Sequence, residues 1–207
     1  TQMKSVGEAM AIGRTFKESM QKALRSLEIK RFGLIGDGAD VVVDEETLTT
    51  KLTVPNSERI FFLGQAFARG WDVEKVFDLT KIDRWFLRQI QEVFEAQVNL
   101  AQGDTGGLLL EYIRSVHGHP RNTTKTTAEI VAELGSPLHT TNIRKLKKLG
   151  FSDRQISHSL TGCTADALIV AKARKALGII PTYRLVDTCA AEFEAYTPYY
   201  YSTYGIE

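Results

Sequence analysis

Cysteine is scarce: the 207-residue chain carries two, Cys163 and Cys189. Two cysteines make no disulfide scaffold, and these lack the paired spacing of a metal or redox motif. A reduced compartment follows, cytoplasmic with the mitochondrion as the alternative. Long apolar runs are missing, so no stretch approaches the roughly 20 residues of a membrane helix and no membrane partner is expected. The opening TQMKSVGEAM lacks the basic-then-apolar layout of a signal peptide. An excess of one charge is missing too. Lys plus Arg number 26 against 25 for Asp plus Glu, so no global field draws in nucleic acid or an anionic surface. There is no initiating methionine, and both ends fall in stretches patterned for order, which suggests a piece of a longer protein.

What is present is helical patterning. In LTKIDRWFLRQIQEVF, residues 79–94, Thr80 and Asp83 form a capping-box pattern. Ile82, Trp85, Phe86, Ile90, Val93 and Phe94 recur at helical spacing, predicting a core helix anchored by Trp85, Phe86 and Ile90. Arg84 and Arg88, four apart, share another face. Upstream, Thr15 and Glu18 repeat the capping pattern, with Phe16, Met20, Ala23, Leu24 and Leu27 on one face. Asn56 or Ser57 caps a helix to Arg69 stopped by Gly70, and a shorter one runs from Asp72 to Leu79. Between these, 29–56 carries Gly33, Gly36 and Gly38. It is not GxGxxG, opens no convincing helix and is followed by acids, so it reads as a surface loop rather than a phosphate cradle.

Residues 102–142 are the least regular by pattern. GDTGG reads as a linker, Leu108 to Val116 as one short helix, HGHPRNTTKTT as a turn-rich loop and AEIVAELG as another helical turn or two, predicting a variable, partly mobile insertion. His117 and His119 lie in it without further ligands in sequence, so no metal site is expected. Three short helices follow, 142–149, one from Ser152 or Asp153, and one from Thr164 to the stop at Gly178. Ile143, Leu146, Leu149, Phe151, Ile156, Leu160, Leu168, Ala171 and Leu177 would fill their core. The tail, TYRLVDTCAAEF then YTPYYYSTYGIE, is β-branched and tyrosine-rich and reads as an extended segment leaving the helices. The fold class is therefore mainly α, two packed helical subdomains with extended N- and C-terminal arms.

Three stretches carry a resemblance: MKSVGEAMAIGRTFKESMQKAL at 3–24, LTKIDRWFLRQI at 79–90 and YRLVDTCAAEFEAYTPYYYSTY at 183–204, with NIRKLKKLGFSDRQISHSL between the last two. Together they resemble the large (synthetase) chain of carbamoyl-phosphate synthetase. The resemblance implies the all-helical oligomerisation domain at 15–181, with 102–142 extra to the shorter bacterial pattern. It makes 1–14 the end of the first ATP-grasp half and 182–207 the run into the second. The implied parent is an ATP-dependent ligase using ATP with Mg or Mn, bicarbonate, and ammonia taken from glutamine or free, in arginine, pyrimidine or urea metabolism. The implied partners are the two ATP-grasp halves of the same chain, further copies in a homo-oligomer, and a glutaminase subunit or domain. No catalytic, cofactor-binding or metal residue carries over, so the fragment alone is expected not to be an enzyme.

Eight residues are candidates for inter-domain or subunit contacts: Lys4, Ser5, Glu8, Arg14, Arg84, Arg88, Asp187 and Glu192. Lys4, Ser5 and Glu8 read as inter-domain hydrogen-bonding groups, with a place along a route between active sites as the alternative. Arg84 is the better interface residue and Trp85 the better core residue. Asp187 and Glu192 read as salt-bridge or capping groups rather than a metal pair. Cys163, near a helix start, is the one candidate reactive thiol. His158 has no acid placed for a triad and reads as a surface or capping group. The rival reading is a helix-turn-helix-like nucleic-acid module using the basic helices at 143–178, among them Arg144, Lys145, Lys147, Lys148, Arg154, Lys172, Arg174 and Lys175. Against it, the same cations suit the solvated faces of amphipathic helices.

Overall fold

A computed structural model describes residues 8–117, 125–190, 192–194, 196 and 199–205. Among them run α1 (Phe16–Ser26), α2 (Glu45–Thr53), α3 (Arg59–Ala68), α4 (Val73–Thr80), α5 (Arg84–Gln102), α6 (Asp104–Val116), α7 (Thr127–Leu134), α8 (Pro137–Lys148), α9 (Asp153–Thr161) and α10 (Ala167–Ala176), followed by β1 (Thr182–Leu185) and β2 (Tyr200–Thr203). The chain is mainly α, as its patterning predicts.

Local chemistry sets most of the ends. Thr15 caps α1 by accepting from Glu18 N, while the Glu18 carboxylate turns to Arg14 N. Asp72 caps α4 and Ser152 caps α9 in the same way. Gly70, Gly150, Gly162 and Gly178 lie in the left-handed region just beyond helix ends.

α5 packs against α1, α3, α4, α6 and α9, and α6 carries the contact onward to α7, α8 and α10. The two helical groups therefore share one continuous core, from Leu24 and Leu63 through Leu87 and Val93 to Ile113, Ile130, Phe151 and Ile179. Within the core expected for the last three helices, Leu168 is 75% exposed, and Val170 and Ala173 occupy the inner face of α10 instead.

Four expectations need correction. The central helix begins at Arg84, with Asp83 as its cap, and Thr80 ends α4 by bonding back to Val76 O. That three-residue displacement puts Trp85 and Phe86 in the first turn, at the rim of the core. They are 51% and 41% exposed, while Leu87, Ile90 and Val93 face inward. Second, 29–56 is not a surface loop. It holds α2, whose Leu48 and Leu52 are fully buried, and whose Thr49, Thr50 and Thr53 hydroxyls bond to carbonyls four residues back. Its glycine segment carries Leu34 and Ile35 into the core. Third, GDTGG is not a linker: Asp104 to Gly107 form the first turn of α6, which runs on through the short helix expected at Leu108 to Val116 and inserts Leu108, Leu109, Tyr112 and Ile113 into the core. Residues 118–124, including His119, lie outside the described residues. Fourth, the tail does not leave the helices. β2 returns antiparallel to β1, with Thr182 opposite Thr203 and Leu185 opposite Tyr200.

Candidate functional site: the junction of the two arms

The return of β2 brings the two ends of the described chain together on α1. Glu18 and Lys22 lie one turn apart on that helix, and Glu18 is only 2% exposed. One carboxylate oxygen of Glu18 accepts from Arg14 N at 2.8 Å and from the Thr203 hydroxyl at 3.0 Å. Lys22 Nζ donates to Ile12 O at 2.9 Å and to Ser202 O. Its ammonium also lies 3.2 Å from the second Glu18 oxygen. That contact is an ion pair, and the second Glu18 oxygen accepts no hydrogen bond from the described residues. One ion pair thus grips both the entering segment, 12–14, and the leaving segment, 202–205. A methyl at Gly205 would sit 3.4 Å from Arg14 Cγ, so the leaving segment packs against the Arg14 side chain.

Beneath this junction lies a second charged layer. Lys147, 5% exposed, donates to Asp153 at 2.8 Å and to Phe151 O at 2.6 Å. Arg174 forks onto both Asp153 oxygens and reaches Ile179 O with its other arm. Burial pushes the Lys147 ammonium down from its ordinary 10.5 to about 8, against the pull of Asp153. Burial opposes ionisation of Asp153, but Lys147 and Arg174 outweigh it and hold the carboxyl below its usual range. Tyr204 spreads its ring over both cations, 5.2 Å from Lys147 Nζ and 5.5 Å from the Arg174 guanidinium carbon. Arg25 donates to Gly150 O at 2.6 Å, and Gln21 to Leu149 O at 3.0 Å. Gly150 is pressed against α1: an added methyl would lie 3.0 Å from Glu18 Cα. So α1, the α8–α9 turn, α10 and the returning tail form one hydrogen-bonded unit.

Lys147 and Arg174 are therefore interior ion-pair partners rather than solvated cations, which removes two charges from the basic face a nucleic-acid module would present. The other predicted residues scatter. Lys4 and Ser5 lie outside the described residues, and Glu8 is exposed. Arg14 stands at the junction through its backbone N–H. Arg84 pairs with Glu74 at 2.7 Å and stacks 3.5 Å from the Phe77 ring centroid, and Arg88 is exposed on the same helix. Asp187 caps Cys189 N and Glu192 N bonds to Cys189 O, making one exposed turn. His158 is half-buried, with Nδ1 3.2 Å from Gly36 O. Glu18 and Asp153 were read only as helix-start residues, and Lys22 and Tyr204 were not singled out. The one local signal was the Glu18–Lys22 spacing of four, a common helix-surface pairing.

Trp85 and Phe86 form an exposed cluster with Phe16, ring centroids 5.0 to 5.5 Å apart. An apolar groove beside it includes Ala9, Met10, Ile60 and Ile82.

The nucleotide and metal of an ATP-dependent ligase have no fitting cradle among the described residues. The glycine segment at 33–38 is filled: the Gln155 side chain lies where a Gly33 methyl would, and His158 and Gln97 crowd Gly38 and Gly36. No three His, Cys, Asp or Glu side chains converge among the described residues. Nor is any described helix long and apolar enough to cross a membrane.

The family profile described as carbamoyl-phosphate synthetase large chain, oligomerisation domain, matches residues 8–117. The carbamoyl phosphate synthase large chain of Synechocystis sp. is 45% identical over 207 residues, covering 100% of this chain and 16% of that protein. The N-terminal section of the large chain from Aquifex aeolicus is 42% identical over 204 residues, 99% of this chain and 30% of that protein. The arginine-specific, chloroplastic large chain of Arabidopsis thaliana is 39% identical over 211 residues, again 100% of this chain and 15% of that protein. The chain thus spans about a sixth of the length of the full-length curated relatives.

Proposed function

Because this chain belongs to the carbamoyl-phosphate synthetase large-chain family, as its oligomerisation domain, we propose that it is the non-catalytic spacer that fixes how two flanking ATP-dependent halves sit relative to each other. The observation that carries this reading is the Glu18–Lys22 ion pair, which holds the entering and leaving segments at once. A spacer that lets its two connections drift apart cannot set a geometry. One that clamps them beside each other on a rigid helix can. In the parent, bicarbonate, ammonia and ATP with Mg or Mn would react in the flanking halves, with ammonia drawn from a glutaminase partner or from solution. A labile intermediate passing between separate sites gains from a fixed, water-excluding route. Two free thiols, Cys163 and Cys189, suit a reducing compartment such as the cytosol.

A second part of the role is association between copies. The exposed Phe16–Trp85–Phe86 cluster, of the residue types that dominate interface energetics, is the surface we assign to it.

The test places one label on each flanking half of the whole large chain and measures the distance distribution between them. Glu18→Ala with Lys22→Ala should broaden that distribution and lower the carbamoyl phosphate formed per ATP consumed. An unchanged distribution and yield would overturn the spacer reading. So would ATP turnover by the 207-residue chain alone that a point change within it abolishes.

A further inference from the structure

The end of α5, the α5–α6 turn and α8 line a half-open cavity of 310 Å³. Its volume is at the small end for ligand sites, which run from roughly 300 to 1,000 Å³. His139 lines it at 9% exposed. Its Nδ1 lies 2.9 Å from the buried Thr105 hydroxyl, and Asn142 Nδ2 donates to the same oxygen at 3.0 Å. With Asn142 as donor, the hydroxyl proton of Thr105 needs an acceptor, and among the described residues only His139 Nδ1 is in reach. The ring's own proton then sits on Nε2. His139 Nε2 and the Asn142 side-chain carbonyl have no protein partner among the described residues.

Lys145 and Asp104 also line the cavity, and neither forms an ion pair among the described residues. The site therefore offers two donors, Lys145 Nζ and His139 Nε2–H, and two acceptors, the Asp104 carboxylate and Asn142 Oδ1. Leu100 and Leu138 supply apolar wall. Opposite charges that face a small cavity without pairing suit a guest that carries both charges itself.

We propose that this cavity binds a free aliphatic α-amino acid as its zwitterion. The carboxylate meets Lys145 and His139, the ammonium meets Asp104 and Asn142, and the side chain lies on Leu100 and Leu138. The Asn142–Thr105–His139 relay fixes the ring so that a donor faces the guest carboxylate. This site is separate from the arm junction and does not depend on the spacer reading.

The test follows the His139 ring signals by NMR on the 207-residue chain, which has its own continuous core. Titrants are L-leucine, L-valine and L-alanine, with 4-methylpentanoate and isoamylamine as analogues of leucine lacking one charge. An amino acid should shift the ring signals saturably at millimolar concentration. Removing one charge-assisted contact costs at least about 1.4 kcal/mol, or about tenfold in affinity. That weakening is expected for each single-charge analogue, and for Lys145→Ala or Asp104→Ala. Both substituted side chains are exposed, so the urea midpoint should stay unchanged and report an intact fold. Three outcomes would sink the proposal: ring signals unmoved by all three amino acids at about 20 mM, far above a millimolar Kd; single-charge analogues binding as well as leucine; or both variants binding as tightly as the parent.

Discussion

Thr203 donates its hydroxyl to the Glu18 carboxylate at 3.0 Å, across 185 positions of chain. Together with Lys22, which reaches Ser202 O, it is what turns a tyrosine-rich tail back onto the first helix. Thr203→Val keeps the shape and removes the donor, at an expected cost of about 1–3 kcal/mol for a hydrogen bond to a buried charged group. Urea unfolding should show that loss, and amide exchange at 200–205 should quicken more than exchange in α5. Equal acceleration throughout would mean that the bond supports the whole fold rather than the tail.

Asp153 is the shared anion for two buried cations. Asp153→Ala leaves Lys147 and Arg174 facing each other without it, which should cost about 3–5 kcal/mol. Lys147→Met should cost clearly less, since Arg174 still satisfies Asp153. Denaturation midpoints for the two variants, compared at one pH, decide the order.

Lys147 also sets a pH dependence. Its folded value of about 8 lies below its ordinary 10.5, so between those values the unfolded chain holds more protons than the folded one. Stability should therefore rise with pH across this window, by about 1–2 kcal/mol between pH 8 and 9.5. In Lys147→Met that rise should vanish. Above pH 10 the trend should weaken, because burial raises the Tyr204 hydroxyl and the folded chain then keeps the proton longer.

If the aromatic cluster carries association, Trp85→Ala should weaken it by about 2 kcal/mol or more, roughly 30-fold in the association constant. Light scattering across a concentration series measures this. Arg84→Ala serves as the comparison and should do less, because Glu74 and Phe77 already engage that guanidinium within the chain.

Helix starts and stops were legible because caps are local: Thr15, Asp72 and Ser152 announce themselves within three residues. Trp85 was misread because the helix starts three residues later than the cap pattern indicated, which places Trp85 in its first turn, at the edge of the core. α2 stayed hidden because threonine is a poor helix former and only Leu48 and Leu52 mark its inner face. The glycine segment was the hardest. Its order comes from Gln21, Ser152 and Gln155, which supply hydrogen bonds to Leu34, Phe32 and Ile35 from far along the chain. The junction was unreadable for the same reason. Glu18 and Thr203 look ordinary until the tail returns, and nothing within a helical window says that it will.

Clamping both arms on one ion pair also makes the helices mechanically peripheral. Tension applied between segments 12–14 and 202–205 runs first through Glu18 and Lys22, and loads α2 to α10 only after that clasp parts. Lengthening or trimming an exposed helix-to-helix connection would then leave the anchor-to-anchor spacing untouched. The fold can change in size along its lineage while the flanks keep their alignment, as a side chapel can be rebuilt without moving the nave.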